Sequence, residues 1–176
     1  LFRSSAASDV YKRQDMPSAQ AALIGCGVTT GIGAVIHTAK VEPGATVAVI
    51  GCGGIGLSTI NGAAIAGASR IIAVDMVASK LELARKFGAT DVVDASDGDA
   101  VAKVKELTGG GVHYSFEAIG LKVCAEQAFQ MLRIGGTATG MIPPGDMVSL
   151  RGVDFLSEQK IQGSFMGSNR FRVDMP

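Results

Sequence analysis

Short apolar runs recur along this chain, each followed by a stretch whose apolar residues fall at helical spacing. Thr46-Val47-Ala48-Val49-Ile50 is the first such run, and Ile71-Ile72-Ala73-Val74 is the second. Further strands are expected at residues 91–93, 112–116, 137–141 and 161–165, with a short extra one at 147–150. Between them, residues 79–87 place Leu81, Leu83, Ala84 and Phe87 where a helix would lay them on a sheet. Residues 99–107 and 122–132 read as the next helices, and 153–157 as a helical turn. Gly88 supplies a helix stop, Gly135-Gly136 a turn, and Pro143-Pro144-Gly145 a break. Upstream, two separate helices are expected at 19–24 and 30–39, the second with Ile32, Val35, Ile36 and Ala39 on one face. Glu42-Pro43-Gly44 closes it.

Strands that alternate with helices predict right-handed crossovers and a parallel sheet covered on both faces. The expected fold class is therefore α/β, a doubly wound parallel six-stranded sheet of the Rossmann type, ordered 3-2-1-4-5-6. The chain divides into residues 1–14, a helical remnant at 15–42 joining a further domain, and a dinucleotide-binding domain at 43–176. Residues 1–14 show neither period and resemble translated adapter DNA; a disordered native tail is the alternative. The chain reads as a piece cut at both ends.

The most specific chemistry lies between Thr46 and Asp75. The first strand runs straight into Gly51-Cys52-Gly53-Gly54-Ile55-Gly56, a helix of small residues follows, and the second strand ends on Asp75. Gly51 permits the tight turn, Gly53 lets the backbone approach a pyrophosphate, and Gly56 lets helix and strand pack closely. The pyrophosphate then meets free N–H groups at a helix N-terminus. Asp75 stands where an acid accepts hydrogen bonds from a ribose 2′-hydroxyl, and it would repel a 2′-phosphate. Met76, Val77 and Ala78 offer no arginine to receive one. NAD is thus expected over NADP.

Composition excludes more than it adds. The 176 residues carry 16 basic and 16 acidic side chains, so nothing points to nucleic acid or an anionic membrane. Glycine and polar residues interrupt every apolar run, so no membrane span and no secretory signal are expected. Cys26, Cys52 and Cys124 are odd in number and scattered, which favours a reduced, cytoplasmic setting. Cys52 and Cys124 read as packing residues, and Lys103 and Lys105 as a solvated helix face. His37 and His113 have no ligand partner at metal spacing in the sequence. Glu117 is either a site residue or a structural hydrogen-bonder.

Four segments stand in one register: Leu23-Ile24-Gly25-Cys26-Gly27-Val28-Thr29-Thr30-Gly31, the glycine turn, Val74-Asp75 with Lys80, and Phe116-Glu117-Ala118-Ile119-Gly120. Together they resemble the coenzyme-binding half of a zinc-dependent medium-chain alcohol dehydrogenase, close to the glutathione- and mycothiol-dependent formaldehyde dehydrogenases. The resemblance covers residues 17–176.

It implies that Cys26 is one ligand of a catalytic zinc and that Thr30 contacts a nicotinamide ring. Gly51, Gly53, Gly54, Ile55 and Gly56 form the pyrophosphate turn, with Ile55 also behind the nicotinamide. Asp75 and Lys80 hold the adenosine ribose. Ala118, Ile119, Met141, Ile142 and Met166 line the nicotinamide site. The implied reaction moves a hydride between an alcohol, or an S-hydroxymethyl thiol adduct, and NAD with zinc assistance. The implied assembly is a homo-oligomer formed through the sixth strand. The family's other two catalytic ligands, its structural zinc loop and its hydroxyl–histidine relay have no counterpart here. The chain alone is therefore expected to bind NAD without turning over substrate. Two other readings stay open: a zinc-free quinone or enoyl reductase, and a non-catalytic NAD-binding module. A methyltransferase is a remote third.

Overall fold

The computed structural model describes residues 17–140 and 146–174. Six strands form one parallel sheet: β1 (Thr46–Ile50), β2 (Arg70–Asp75), β3 (Asp91–Asp94), β4 (Val112–Glu117), β5 (Leu132–Gly140) and β6 (Lys160–Gly163). Their order is β3-β2-β1-β4-β5-β6, the doubly wound arrangement the alternation predicts. The helices are α1 (Ser18–Ala39), α2 (Gly54–Ile65), α3 (Ala78–Lys86), α4 (Ala100–Thr108), α5 (Lys122–Gln130) and the short α6 (Phe171–Asp174).

Period-two alternation divides the strands between two cores. Val47, Val49, Ile71 and Ala73 face one side with Val35, Ile60 and Leu81 from α1, α2 and α3. Ala48, Ile50, Ile72 and Val74 face the other with Val104 and Phe129 from α4 and α5. Being covered on both faces, the central strands are nearly continuous runs of buried aliphatic residues. Asp99 caps α4 by accepting hydrogen bonds from Val101 N and Ala102 N, at 2.9 and 3.2 Å.

Several expectations need correction. The two upstream helices are one: α1 runs 22 residues at a hydropathy of 1.6. By length and composition it is apolar enough to cross a bilayer, contrary to the expectation that polar interruptions would prevent this. Gly25 and Gly27 do not break it, because the winding loosens into π-helix at Ile24–Val28 and again at Ala34–Ala39. The second loosening turns Ile36 out to solvent, at 41% exposure, while Val35 is fully buried. Lys40, in the left-handed region, ends the helix before Glu42 is reached.

On α3, Leu81 and Ala84 are buried, but Leu83 and Phe87 are partly exposed. Gly135-Gly136 is no turn before β5. Val112 pairs with Leu132 while Tyr114 pairs with Thr137, so these glycines lie in an irregularity within the strand. Residues 147–150 form no strand, and Ser164 and Phe165 lie beyond the end of β6. Lys103 bends back onto the loop before α4, bonding Asp94 O at 3.3 Å and Asp97, rather than standing in solvent. Residues 1–14, Met141, Ile142 and Pro143-Pro144-Gly145 lie outside the described residues.

Candidate functional site

The C-terminal ends of β1, β2, β4, β5 and β6 converge where a doubly wound sheet binds its ligands. At β1 the chain turns through Gly51, whose φ of +94° favours glycine. A Cβ there would also strike Ile119 Cγ1 at 2.5 Å. Gly56 sits so close to the Gly51 carbonyl that any side chain would collide with it. Gly53 and Gly54 are different. Both are exposed, and apart from the adjoining backbone nothing lies within 4 Å of a Cβ built at either. The first and last glycines are required by the fold, whereas the middle pair leaves an open, exposed backbone.

Beyond them, α2 begins with no side-chain cap and no acid in its first turn. Its N–H groups and the positive end of its dipole face outward, which suits a pyrophosphate.

Asp75, at the end of β2, is tied to the same turn. Its Oδ2 accepts from Cys52 N at 2.8 Å and its Oδ1 from Val77 N at 3.0 Å. Two backbone donors fix the carboxylate, and each oxygen keeps further acceptor capacity. Lys80 lies exposed on α3, near enough for its charge to act on the Cys52 thiol. Cys52 is buried, and burial together with the Asp75 charge pushes its thiol up to about 12. It is a packing residue. So is Cys124, also buried, with a thiol that burial raises.

A cleft beside the turn is lined by Thr30, Ile55, Glu117, Ala118, Thr139 and Ser164 among others. The structure thus brings together Thr30, Ile55 and Ala118, three of the residues singled out from sequence. Ile119 is half exposed against Gly51, and Met166 joins through its sulfur, which accepts from Thr30 Oγ1 at 3.9 Å. Glu117, 3% exposed, accepts from Ile119 N at 2.7 Å and Gly120 N at 2.5 Å. It thereby shapes the loop after β4, so its structural role is plain.

Sequence reasoning missed Thr139, Ser164 and Asn169. The rule that ligands gather at strand C-termini flags the first two; nothing local flags the third.

Cys26 is the one exposed thiol, one turn before Thr30 on α1. Among the described residues no group of three His, Cys, Asp or Glu side chains is placed to hold a metal ion. A lone thiolate does not make a zinc site. His37 has a carboxylate after all: Asp174 Oδ2 lies 3.6 Å from its Nε2, a pairing invisible in sequence spacing.

Comparison with known proteins agrees with this geometry. Residues 54–176 match the family described as zinc-binding dehydrogenase. An S-(hydroxymethyl)glutathione dehydrogenase of Synechocystis is 42% identical over 159 residues, which are 88% of this chain and 43% of that protein. The crystal structure of benzyl alcohol dehydrogenase from Acinetobacter calcoaceticus superposes with a TM-score of 0.88 at 37% identity, over 93% of this chain and 46% of that one. A structure from Sinorhizobium meliloti 1021 bound to NADP superposes at 0.73 with 32% identity, over 80% and 42% of the two chains. The chain spans less than half the length of these relatives.

Proposed function

This chain belongs to the zinc-binding dehydrogenase family, and on that premise we propose that it is the coenzyme-binding part of an NAD-dependent oxidoreductase. The substrate class we propose is an alcohol or an S-hydroxymethyl thiol adduct, the chemistry named in the Synechocystis and Acinetobacter relatives. Those relatives favour a dehydrogenase over a zinc-free quinone or enoyl reductase. The observation that carries the reading is the pairing of an open Gly53-Gly54 backbone with a fixed Asp75 carboxylate.

The residues present fit a dinucleotide. Gly53, Gly54 and the first turn of α2 would hold the pyrophosphate, and Asp75 the adenosine ribose, with Lys80 beside it. Thr30, Ile55, Ala118, Ile119 and Met166 would bound the nicotinamide end, and Met141 and Ile142 extend that assignment outside the described residues. When bound, the nicotinamide supplies the hydride acceptor or donor. The chain's own part is to orient that ring and exclude water from the apolar side of the cleft. Asp75 gives the preference for NAD, since a 2′-phosphate would bring like charge against its carboxylate. A relative bound to NADP shows that the fold is compatible with the phosphorylated cofactor, and in this reading the acid at the end of β2 makes the choice against it.

Zinc does not fit the described residues by themselves, so no step is assigned to it. Cys26 is the candidate ligand, its partners lying outside these residues. For assembly, we propose pairing of two copies through β6, the strand at the open edge of the sheet. Phe165 is 89% exposed just beyond it. Sedimentation of the purified chain as a monomer at every concentration would discard that pairing. The three free thiols fit a reduced, cytoplasmic setting. The C-terminal half of α1 packs into the core through Ala34 and Val35, which favours a protein without a membrane partner, and the balanced charge favours one without nucleic acid.

Calorimetric titration of this chain with NAD and with NADP tests the function. Saturable NAD binding, at least about tenfold tighter than NADP, is expected. No binding of either dinucleotide would reject the reading.

A further inference from the structure

After β6 the chain crosses back over α1 in a costly backbone. Met166, Gly167 and Ser168 have φ of 50°, 66° and 53° in succession. Glycine takes the left-handed region freely, but methionine and serine do not. Such strain persists only where the surroundings impose it, and it concentrates at functional sites.

Here the constraint has a named source. Asn169 Nδ2 donates to Met166 O at 2.6 Å and to Thr29 O at 2.7 Å. One amide group therefore ties the left-handed turn to α1 at the residue next to Thr30. Two glycines make the approach possible, because a Cβ on Gly33 or on Gly167 would run into the opposing backbone and the Asn169 amide. Thr38 adds a hydroxyl pair, 2.9 Å from Ser164 Oγ and 2.8 Å from Ser168 Oγ. On α1 itself, the α-helical turn Thr29–Gly33 lies between two π-helical segments, a winding often found at functional positions. What the clamp achieves is the contact between Thr30 and the Met166 sulfur.

We propose that Asn169 is a positioning residue for the nicotinamide end of the site: it holds Met166 against Thr30 and so sets the wall on which the ring lies. This rests on the dinucleotide reading above. The chemistry requires two donors on one amide. An aspartate of the same size presents only acceptors to the two carbonyl oxygens, and an alanine presents nothing. None of these contacts touches the glycine turn or Asp75, so the effect of Asn169 is confined to one end of the ligand.

The test compares NAD with ADP-ribose, which keeps the pyrophosphate and both riboses but lacks the nicotinamide. Dissociation constants for both are measured by calorimetry on the whole chain and on its N169A, N169D and M166A variants. Asn169→Ala and Asn169→Asp should weaken NAD about tenfold, the order expected for a lost pair of hydrogen bonds, and leave ADP-ribose within about twofold. Met166→Ala, which removes the wall but not the clamp, should give the same one-sided loss. ADP-ribose binding reports that each variant is folded. Equal losses for both ligands in the Asn169 variants would make Asn169 a folding residue and overturn the proposal. Unchanged NAD binding would overturn it as well. Failure of the underlying dinucleotide reading looks different, since the unsubstituted chain would then bind neither ligand.

Discussion

Cys52 and Asp75, joined by a hydrogen bond at the adenosine end of the proposed site, are 23 residues apart. At the nicotinamide end, Thr30 meets Met166 across 136 residues and Thr29 meets Asn169 across 140. The first end is made by one strand, one turn, one helix and the next strand. The second exists only after β4, β5 and β6 have been added to the sheet. Closing the longer loop carries more entropy cost, and the chain meets it with close glycine contacts and the Asn169 clamp, which also hold a strained turn in place. The adenosine end uses the shape of the βαβ unit itself. In the proposed site, recognition of the common part of a dinucleotide thus rests on local structure, and placement of its reactive ring on a long-range contact.

Gly56→Val is the harshest way to break this division. Its side chain would be driven into the Gly51 carbonyl, an overpacking against backbone that should cost roughly 3 kcal/mol or more. NAD and ADP-ribose affinity should fall together by more than about 100-fold, checked by calorimetry beside thermal melting. Near-normal binding would show that the turn is not the scaffold of both ends.

Asp75→Ala sharpens the contrast from the other side. NAD and ADP-ribose should both weaken about tenfold while NADP loses little or gains. The loss of ADP-ribose separates this pattern from the one expected for Asn169→Ala, where NAD weakens but ADP-ribose is spared. An unchanged ratio of NAD to NADP affinity would remove Asp75 from cofactor choice. The variant also strands the Cys52 N–H, so a stability loss of about 1–3 kcal/mol accompanies it.

Asp91 belongs to neither end and serves as the control. Arg70 grips it by two hydrogen bonds of 2.8 Å and also reaches Leu107 O, closing the far edge of β2 and β3. Hydrogen bonding from Arg70, with help from Thr90, holds the Asp91 carboxyl down at about 2 against an ordinary 3.8. Folding therefore favours its charged form. The stabilisation is complete above about pH 5 and drains away as pH falls toward 2. Asp91→Asn should lower the melting temperature by about 2–4 °C at pH 7, lose that difference near pH 2, and leave NAD affinity untouched. A melting difference that persisted at pH 2 would assign the effect to something other than charge.

Much of this was legible in the residues, because local rules sufficed. Strand–helix alternation predicts the sheet order, and the glycine turn needs only steric argument to be placed before α2. Cys52 and Cys124 read correctly as packing residues. What was misread has a common cause. Gly135-Gly136 carries turn chemistry, yet the demand of β4 for a partner stretches the segment into β5. Ile36 has the helical spacing of a core residue, but π winding rotates it outward. Residues 147–150 have the composition of a strand, yet they run beside α5, where Ser149 N donates to Glu126 Oε1 at 2.8 Å, and pair with no strand.

The sequence by itself determined the parallel doubly wound architecture, the glycine turn and the acid at the end of β2, since each follows from contacts within one or two successive elements. Only the tertiary structure decided that α1 is one continuous helix, that Asn169 spans Thr29 and Met166, and that Asp174 faces His37. The last two depend on which distant segments the assembled sheet brings within reach of a hydrogen bond or an ion pair, and no local propensity encodes that distance.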